Sequence, residues 1–84
     1  LSMAYPNPFN PITTMEFTIP KAGDVNVQVY NLQGQLINTL LSGYKSEGTY
    51  SLVWHATDNV PSGIYFVKAK VGGFLETQKL MLIK

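Results

Sequence analysis

Apolar and polar side chains alternate with a period of two along three stretches of the chain, residues 13–19, 25–30 and 49–55. Successive side chains of a β-strand point to opposite faces, so this alternation is typical of a strand that buries one face. The apolar members are Met15, Phe17, Ile19, Val25, Val27, Val29, Tyr50, Leu52 and Trp54. These residues are the predicted core, with Trp54 at its centre.

The stretch 35–41 does not alternate. Leu36, Ile37, Leu40 and Leu41 fit one face of a helix as readily as a bent strand. Only seven residues separate Gly34 from Ser42-Gly43, which is short for a stable helix, so we predict a strand there.

Turn-forming residues occupy 20–24, 31–34 and 56–63, and a polar loop is predicted over 44–48. Together with two strands near the C-terminus, the pattern gives six or seven short strands and no helix. Short strands with turn signals at this spacing are typical of an antiparallel β-sandwich of immunoglobulin type.

The last third of the chain, from Pro61 to Lys84, holds two strand-like runs separated by Gly72-Gly73. This arrangement predicts a β-hairpin. A two-residue loop would place Glu76 and Gln78 on the apolar face of the hairpin.

A three-residue loop that includes Phe74 gives the predicted register, with Gly73 at a positive φ. It removes the two polar residues from the apolar face, since a one-residue slip turns every side chain to the other face. The facing pairs would be Lys70 with Glu76, Lys68 with Gln78, Val71 with Leu75, and Tyr65 with Met81. Lys79 then lies beside Val67 on the apolar face, where its ammonium group would have to reach solvent past an edge.

In this register the hairpin is apolar on both faces. Ile64 and Phe66 lie opposite the core, with Leu82 and Leu80 beside them, and Tyr30 shares the same outer orientation. A strand that is apolar on both sides needs a second cover. We expect the N-terminal aromatic residues, or a preceding domain of a longer protein, to provide it; the alternative is a register that is wrong by one residue.

The N-terminal residues 1–12 form a proline-rich segment, here called the lead-in, ahead of a sandwich domain predicted over 13–84. Proline fixes φ, lacks a backbone donor and favours an extended preceding residue, so the lead-in is predicted to be extended. Tyr5 and Phe9 are its predicted apolar anchors. The alternative is a plain interdomain linker.

Composition excludes several functional classes. The 84 residues carry a net charge of +1 and no arginine, which argues against nucleic-acid binding. The absence of cysteine excludes disulfides and thiolate metal sites. No apolar run approaches the ~18 residues of a membrane span. The start at Leu1, without the features of a signal peptide, suggests a piece of a longer protein.

Candidate catalytic and metal-binding residues are sparse. His55 is the only histidine and lies on the predicted strand face opposite Trp54. A triad with Asp58 and a serine lacks the glycine pattern around the nucleophile, and the five carboxylates are isolated in the sequence. Asp58-Asn59 has calcium-ligand chemistry but is also a common turn pair. We predict no enzyme activity, no metal and no cofactor.

Several motifs together resemble the C-terminal sorting domain (type A) of the type IX secretion system. They cover the chain from Tyr5 to Lys84: the lead-in motif Pro6, Asn7, Pro8, Phe9, Asn10 and Pro11, then Val29-Tyr30-Asn31-Leu32-Gln33-Gly34-Gln35, Trp54-His55-Ala56, Ser62-Gly63-Ile64-Tyr65-Phe66-Val67 and Lys79-Leu80-Met81-Leu82-Ile83-Lys84. His55 departs from the aspartate that this family usually has. The same profile is related to the immunoglobulin-like domain of flagellar hook-capping proteins.

The resemblance implies a non-catalytic sorting and anchoring domain at the C-terminus of a larger secreted protein. It implies a bacterial protein of Gram-negative type that passes through the periplasm to the cell surface. Its implied partners are the outer-membrane translocon, a sorting peptidase and the preceding domain of the parent protein. The implied recognition residues are Gly63, Tyr65, Lys79 and Lys84. The alternative function is a structural or accessory β-sandwich that packs on an enzyme, serves an adhesin or binds glycans through Tyr30, Tyr44 and Tyr50.

Overall fold

A computed structural model describes residues 1–57 and 59–84. Within these residues the chain forms six strands and no helix: β1 (Ile12–Ile19), β2 (Gly23–Asn31), β3 (Leu36–Lys45), β4 (Gly48–His55), β5 (Gly63–Val71) and β6 (Phe74–Leu82). β1 and β4 form one sheet, and the other has the order β3-β2-β5-β6, with antiparallel pairing throughout. The predicted immunoglobulin-like antiparallel sandwich is confirmed.

The core consists of the alternating residues that the sequence indicates. The inward positions of β1, β2 and β4 are buried, and Trp54 is only 1% exposed. Tyr50 is an exception because it is only half-buried and packs against the rim of the core. The cooperative burial of these side chains is the main favourable contribution to folding.

The ambiguous stretch 35–41 is part of a strand, as predicted, except for Gln35, which precedes β3. Its irregular pattern coincides with two register shifts against β2, between Val27 and Gln28 and between Val29 and Tyr30. An extra residue at such a bulge breaks the period of two, which explains the helix-like spacing.

The predicted loop over 44–48 is too long. Tyr44 and Lys45 belong to β3, where they face Asp24 and Gly23 of β2. Pairing to the first residues of β2 extends the strand, so only Ser46 and Glu47 connect β3 to β4.

One side of the lead-in runs along β1. Tyr5 and Thr14 exchange two backbone hydrogen bonds, of 2.9 and 3.0 Å. The Ser2 amide donates to the Glu16 carbonyl at 2.7 Å, and the Ser2 hydroxyl accepts from the Glu16 amide at 2.8 Å. The Thr13 hydroxyl, which is fully buried, donates to the Pro6 carbonyl at 2.8 Å.

The other side of the lead-in runs along β6. The Phe9 amide donates to the Met81 carbonyl, and the Ile83 amide donates to the Phe9 carbonyl, both at 2.9 Å. The side-chain amide of Asn7 donates to the Lys79 carbonyl at 3.1 Å and accepts from the Met81 amide at 3.0 Å. The lead-in therefore bridges the edge strands of the two sheets.

Phe9 is an anchor of the lead-in, as predicted, but Tyr5 is not. Phe9 is 2% exposed and its ring lies 5.3 Å from that of Trp54, whereas Tyr5 is 81% exposed. Tyr5 pairs with β1 through its backbone, so its ring is free to point outward. Ala4, which is buried, is the second apolar contact that the sequence did not indicate.

The predicted register of the C-terminal hairpin is wrong by one residue. Ala69 faces Glu76 and Val67 faces Gln78, with a two-residue loop at Gly72-Gly73. Gly72, and not Gly73, has the positive φ, of 57°. The expected pairs of Lys70 with Glu76, Lys68 with Gln78, Val71 with Leu75, and Tyr65 with Met81 do not form.

Contacts with the lead-in explain why the polar pair can face inward. The Gln78 side chain accepts from the Ala4 amide at 2.6 Å and donates to the Ser2 carbonyl at 2.8 Å. The Glu76 carboxylate accepts from the Leu1 amino group at 2.9 Å. Half-buried polar groups that have hydrogen-bond partners cost little free energy of folding. By providing these partners, the lead-in allows Glu76 and Gln78 to face inward in this register.

The corrected register also reverses the faces of β6. Lys79 is exposed and faces Phe66, so it does not lie on the apolar face beside Val67. Leu80 and Leu82 are buried in the core, at 0% and 1% exposure, and not on the outer face. The wrong register explains only the expected apolar outer face of β6, because Ile64 and Phe66 still lie half-buried on the outer face of β5.

Candidate recognition surface at the C-terminal strand

Of the four recognition residues that the resemblance implies, Tyr65 lies in the core. Its ring makes an edge-on contact with Trp54, with the ring centroids 5.2 Å apart. Phe9 contacts the same indole, so the three rings join the lead-in, β4 and β5. The Tyr65 hydroxyl donates to the Pro61 carbonyl, four residues upstream. This hydrogen bond fixes the chain where it enters β5, as a tyrosine corner does in immunoglobulin-like domains.

Burial raises the pKa of the Tyr65 hydroxyl above its usual value of 10.0, because the phenolate would lose its hydration. The folded state therefore holds this proton more tightly than the unfolded state does. The contribution to stability is fully present below the unfolded pKa and is lost as the pH rises through the folded pKa.

Replacing Tyr65 by phenylalanine tests this linkage. We expect the free energy of unfolding at pH 8 to fall by about 1 kcal/mol, because one intramolecular hydrogen bond is lost. The difference in free energy of unfolding between the two proteins should become smaller above a pH of about 10, because only the wild type has Tyr65 and loses its contribution to stability there. Urea unfolding of both proteins at several pH values measures the difference in their free energies of unfolding. Contributions from the lysines are common to both proteins and cancel in this difference. A difference that stays constant up to pH 11 would contradict the assignment.

Gly63 has a conformational role at the start of β5. Its φ is 152°, a value that residues with a side chain rarely adopt, and the space around its Cα would admit a Cβ atom. Glycine is therefore favoured there by backbone conformation and not by crowding. Together with the Tyr65 hydrogen bond, Gly63 sets the path of the chain into the penultimate strand.

Lys79 and Lys84 are exposed. Lys79 projects from β6, while the Lys84 ammonium donates to the Thr57 carbonyl at 2.8 Å and the Lys84 amide donates to the Ser62 hydroxyl at 3.0 Å. The last residue is thus held against the connection that precedes β5. Its side chain remains at the surface, where a second molecule can reach it.

The lead-in motif and the C-terminal strand form one structural unit. The side-chain amide of Asn7 pairs with the backbone of β6 at Lys79 and Met81, in the way that the peptide groups of a neighbouring strand would. Phe9 continues this pairing to Ile83. The sequence separated these motifs by more than 70 residues and gave no sign that they meet.

The structure brings together no catalytic constellation in the described residues. His55 is exposed on β4, and no group of three histidine, cysteine, aspartate or glutamate side chains within residues 1–57 and 59–84 is placed to hold a metal ion. The triad and calcium alternatives that involve Asp58 lie outside the described residues.

The three tyrosines of the glycan-binding alternative do not form one platform. Tyr30 lies on the outer face of the four-stranded sheet, where the Lys68 ammonium covers its ring at 4.9 Å from the centroid. Tyr44 is 71% exposed on β3, and Tyr50 packs against the core with its hydroxyl bound to the Ser46 carbonyl. The position of each tyrosine follows from the face of its strand. The sequence pattern alone did not show how the faces of different strands are arranged relative to one another.

A groove of about 1030 Å³ opens at the other end of the sandwich, beside the β1–β2 and β5–β6 turns. Its apolar wall includes Phe17, Val25, Val71 and Phe74. Phe74 begins β6, and the C-terminal residues follow the far end of that strand, nine residues later. The groove is therefore separate from the C-terminal recognition surface.

Comparison with protein families agrees with the motifs. Residues 3–84 match the family model of the secretion system C-terminal sorting domain. The chain belongs to this family. No match was found among curated proteins or among solved structures.

Membership of the sorting-domain family identifies the chain as a C-terminal sorting signal for type IX secretion. The match includes the lead-in from Met3 onward as well as the C-terminal residues that follow β6, which the fold joins. Within the described part of this sorting domain, no helix is long and apolar enough to cross a membrane.

Proposed function

We propose that this sorting domain acts without catalysis, as a folded signal that other proteins recognise at its C-terminal strand. The machinery that reads it comprises the outer-membrane translocon and a sorting peptidase, which deliver the preceding domain through the periplasm to the cell surface. The supporting observation is the exposed, tethered C-terminal segment: Lys79 projects from β6, which is fixed to the fold through Asn7 and Phe9, and Lys84 follows the end of that strand.

Within this proposal the four implied residues have two kinds of role. Lys79 and Lys84 contact the machinery, because both are exposed. Gly63 and Tyr65 are positioning residues: one sets the entry of β5, and the other ties β5 to Trp54 and to the Pro61 carbonyl. Their replacement acts through the shape of the hairpin and not through a lost contact.

The experiment is a reporter joined ahead of residues 1–84 in a host that has a type IX system. Replacing Lys79 and Lys84 together by alanine is expected to lower surface delivery by roughly tenfold or more, which corresponds to about 1.4 kcal/mol of recognition energy. The matched control replaces Lys21 and Lys45, which lie in the β1–β2 turn and at the end of β3. It removes the same charge and should leave delivery unchanged.

Point substitutions are needed because a deletion of 79–84 does not separate recognition from folding. That deletion removes Leu80 and Leu82 from the core and the hydrogen bonds that Phe9 makes to Met81 and Ile83. Thermal unfolding of the purified variants must remain cooperative, with a midpoint near that of the wild type. Full delivery of a folded Lys79 and Lys84 double variant would contradict the proposed contacts.

A further inference from the structure

The first residues of the lead-in lie in a cleft between the edges of β1 and β6. On the β1 side, Ser2 exchanges hydrogen bonds with the backbone of Glu16. On the β6 side, the Gln78 side chain donates to the Ser2 carbonyl. The Glu76 carboxylate accepts from the Leu1 nitrogen. The lead-in therefore fills this cleft as far as Leu1 and contacts both edges.

The lead-in runs antiparallel to β1 over these residues. Tyr5 pairs with Thr14, and Ser2 lies at Glu16. Each step toward the amino terminus therefore moves the chain toward the end of β1 and the β1–β2 turn. Residues that precede Leu1 in a longer chain would continue in this direction.

Thr18 offers the next backbone groups along this edge. Backbone groups of successive residues in an antiparallel strand point alternately to its two sides. Thr14 and Glu16 point to the lead-in, so Thr18 points the same way. Its amide and carbonyl have no hydrogen-bond partner within residues 1–57 and 59–84. Because Ser2 lies at Glu16, the residue directly ahead of Leu1 would reach Thr18.

The groove beside the β1–β2 and β5–β6 turns is the open continuation of the same cleft. Thr18 on one side and Glu76 on the other both line it, and its apolar wall includes Val71 and Phe74. The lining also contains two lysines and two carboxylates, namely Lys21, Lys70, Asp24 and Glu76. These charges balance, so the groove favours an apolar side chain over a charged one.

Leu1 shows how a longer chain would enter the groove. Its side chain is 1% exposed and packs against the core, whereas the residue as a whole is only half-buried. Its exposed surface is therefore backbone, from which a chain can continue without displacing the core. Side chains alternate along a strand. The first residue upstream of Leu1 would point outward, and the second would point inward, to the groove.

We infer that the groove binds the segment directly upstream of Leu1 in the secreted parent protein. The first upstream residue pairs with Thr18 through its backbone, and the second upstream residue is apolar and packs against Val71 and Phe74. The Leu1 nitrogen, as a peptide N–H, still donates to Glu76. The occupant is thus a continuation of the segment that already fills the cleft.

This inference rests on the proposed sorting function, which places a delivered domain ahead of residues 1–84. The lead-in meets the last residues of β6 through Phe9 and leaves the sandwich beside Glu76. At about 3.3 Å per strand residue, Glu76 is roughly 20 Å from Leu82. The delivered domain is therefore attached at the groove end and leaves the C-terminal recognition surface uncovered.

Amide hydrogen exchange of Thr18, followed by NMR, tests the inference. Residues 1–84 are compared with the same residues preceded by those that adjoin Leu1 in the full-length protein. The Thr18 amide should exchange roughly tenfold or more slowly in the extended protein, because exchange then requires the new pair to open. Ser51 faces Glu16 and points to the opposite edge of the sheet, so its amide is the internal control and should exchange equally in both proteins.

Aspartate at each of the two upstream residues in turn tests the role of the groove. At the second upstream residue it places a carboxylate against the apolar wall, and Thr18 should return to the fast exchange seen in residues 1–84. At the first upstream residue the side chain points to solvent, and Thr18 should remain protected. Both substitutions lie outside the core, so the sandwich itself stays folded in each variant.

Equal Thr18 exchange in the two proteins, or equal effects of the two aspartates, would overturn the inference while leaving the sorting proposal intact. Failure of the wild-type reporter fusion to reach the surface would instead contradict the sorting proposal, and it is measured separately. Protection of Thr18 that develops in residues 1–84 alone as the protein concentration rises would assign the groove to a second copy of this chain and overturn the assignment to the upstream segment.

Discussion

Replacement of Phe9 by alanine is expected to lower the free energy of unfolding by about 3–5 kcal/mol, the cost of removing a buried aromatic side chain. Phe9 is 2% exposed and contacts Trp54. The substitution also leaves an unfilled space between the two sheets, at the point where the lead-in joins β6. Since small domains are stable by only about 5–15 kcal/mol, a large part of the total stability depends on this residue of the N-terminal segment.

Tyr5 provides the matched control in the same segment. It is also aromatic, but it is 81% exposed and holds the lead-in through its backbone bonds to Thr14. Alanine at Tyr5 keeps those bonds and should change stability by less than about 0.5 kcal/mol, as is usual for exposed positions. Urea unfolding followed by Trp54 fluorescence measures both variants. Similar effects of the two substitutions would mean that the lead-in is not packed through Phe9.

The fold was largely predictable from the sequence because most of its strands bury one face. Met15, Val27 and Leu52 each sit in a strict alternation, and each is buried as the alternation indicates. The class of sandwich then followed from the number and spacing of such strands. Local pattern and tertiary burial agree at these positions, so single-sequence reasoning was sufficient.

The hairpin register was not predictable from the hairpin alone. The pattern of the two strands alone predicts that Glu76 and Gln78 point away from the apolar face. In the structure both lie on that face, because the lead-in provides their hydrogen-bond partners. Those partners lie more than 70 residues away in the sequence. Periodicity describes how a strand meets its own sheet, but it carries no information about a distant segment that supplies hydrogen bonds.

The candidate site was predictable only in part for a related reason. The resemblance selected Tyr65 and Lys84 together, although one is a buried positioning residue and the other lies at the surface. A motif records which residues occur together and not whether each packs or binds. The pairing of Asn7 with β6 was likewise invisible, because it depends on which strands become neighbours across the sandwich.

Lysine at Leu80 is expected to prevent folding at room temperature, with a loss of at least about 3–5 kcal/mol. Leu80 is completely buried on the inner face of β6 and faces Tyr65 across the hairpin. An unpaired ammonium group in the core loses its hydration without a compensating partner, and the packing of the leucine is lost as well. Circular dichroism and urea unfolding of the purified domain give the result directly.

Met81 is the adjacent control, and it makes the experiment a test of register. It faces Ile64 on the outer side of the hairpin and is 37% exposed, so lysine there can keep its ammonium group in water and should cost less than about 1 kcal/mol. The three-residue loop would reverse this order, because it turns Leu80 outward and Met81 inward. If the Leu80→Lys protein folded and the Met81→Lys protein did not, the three-residue loop would be the correct register, and Lys79 would face inward.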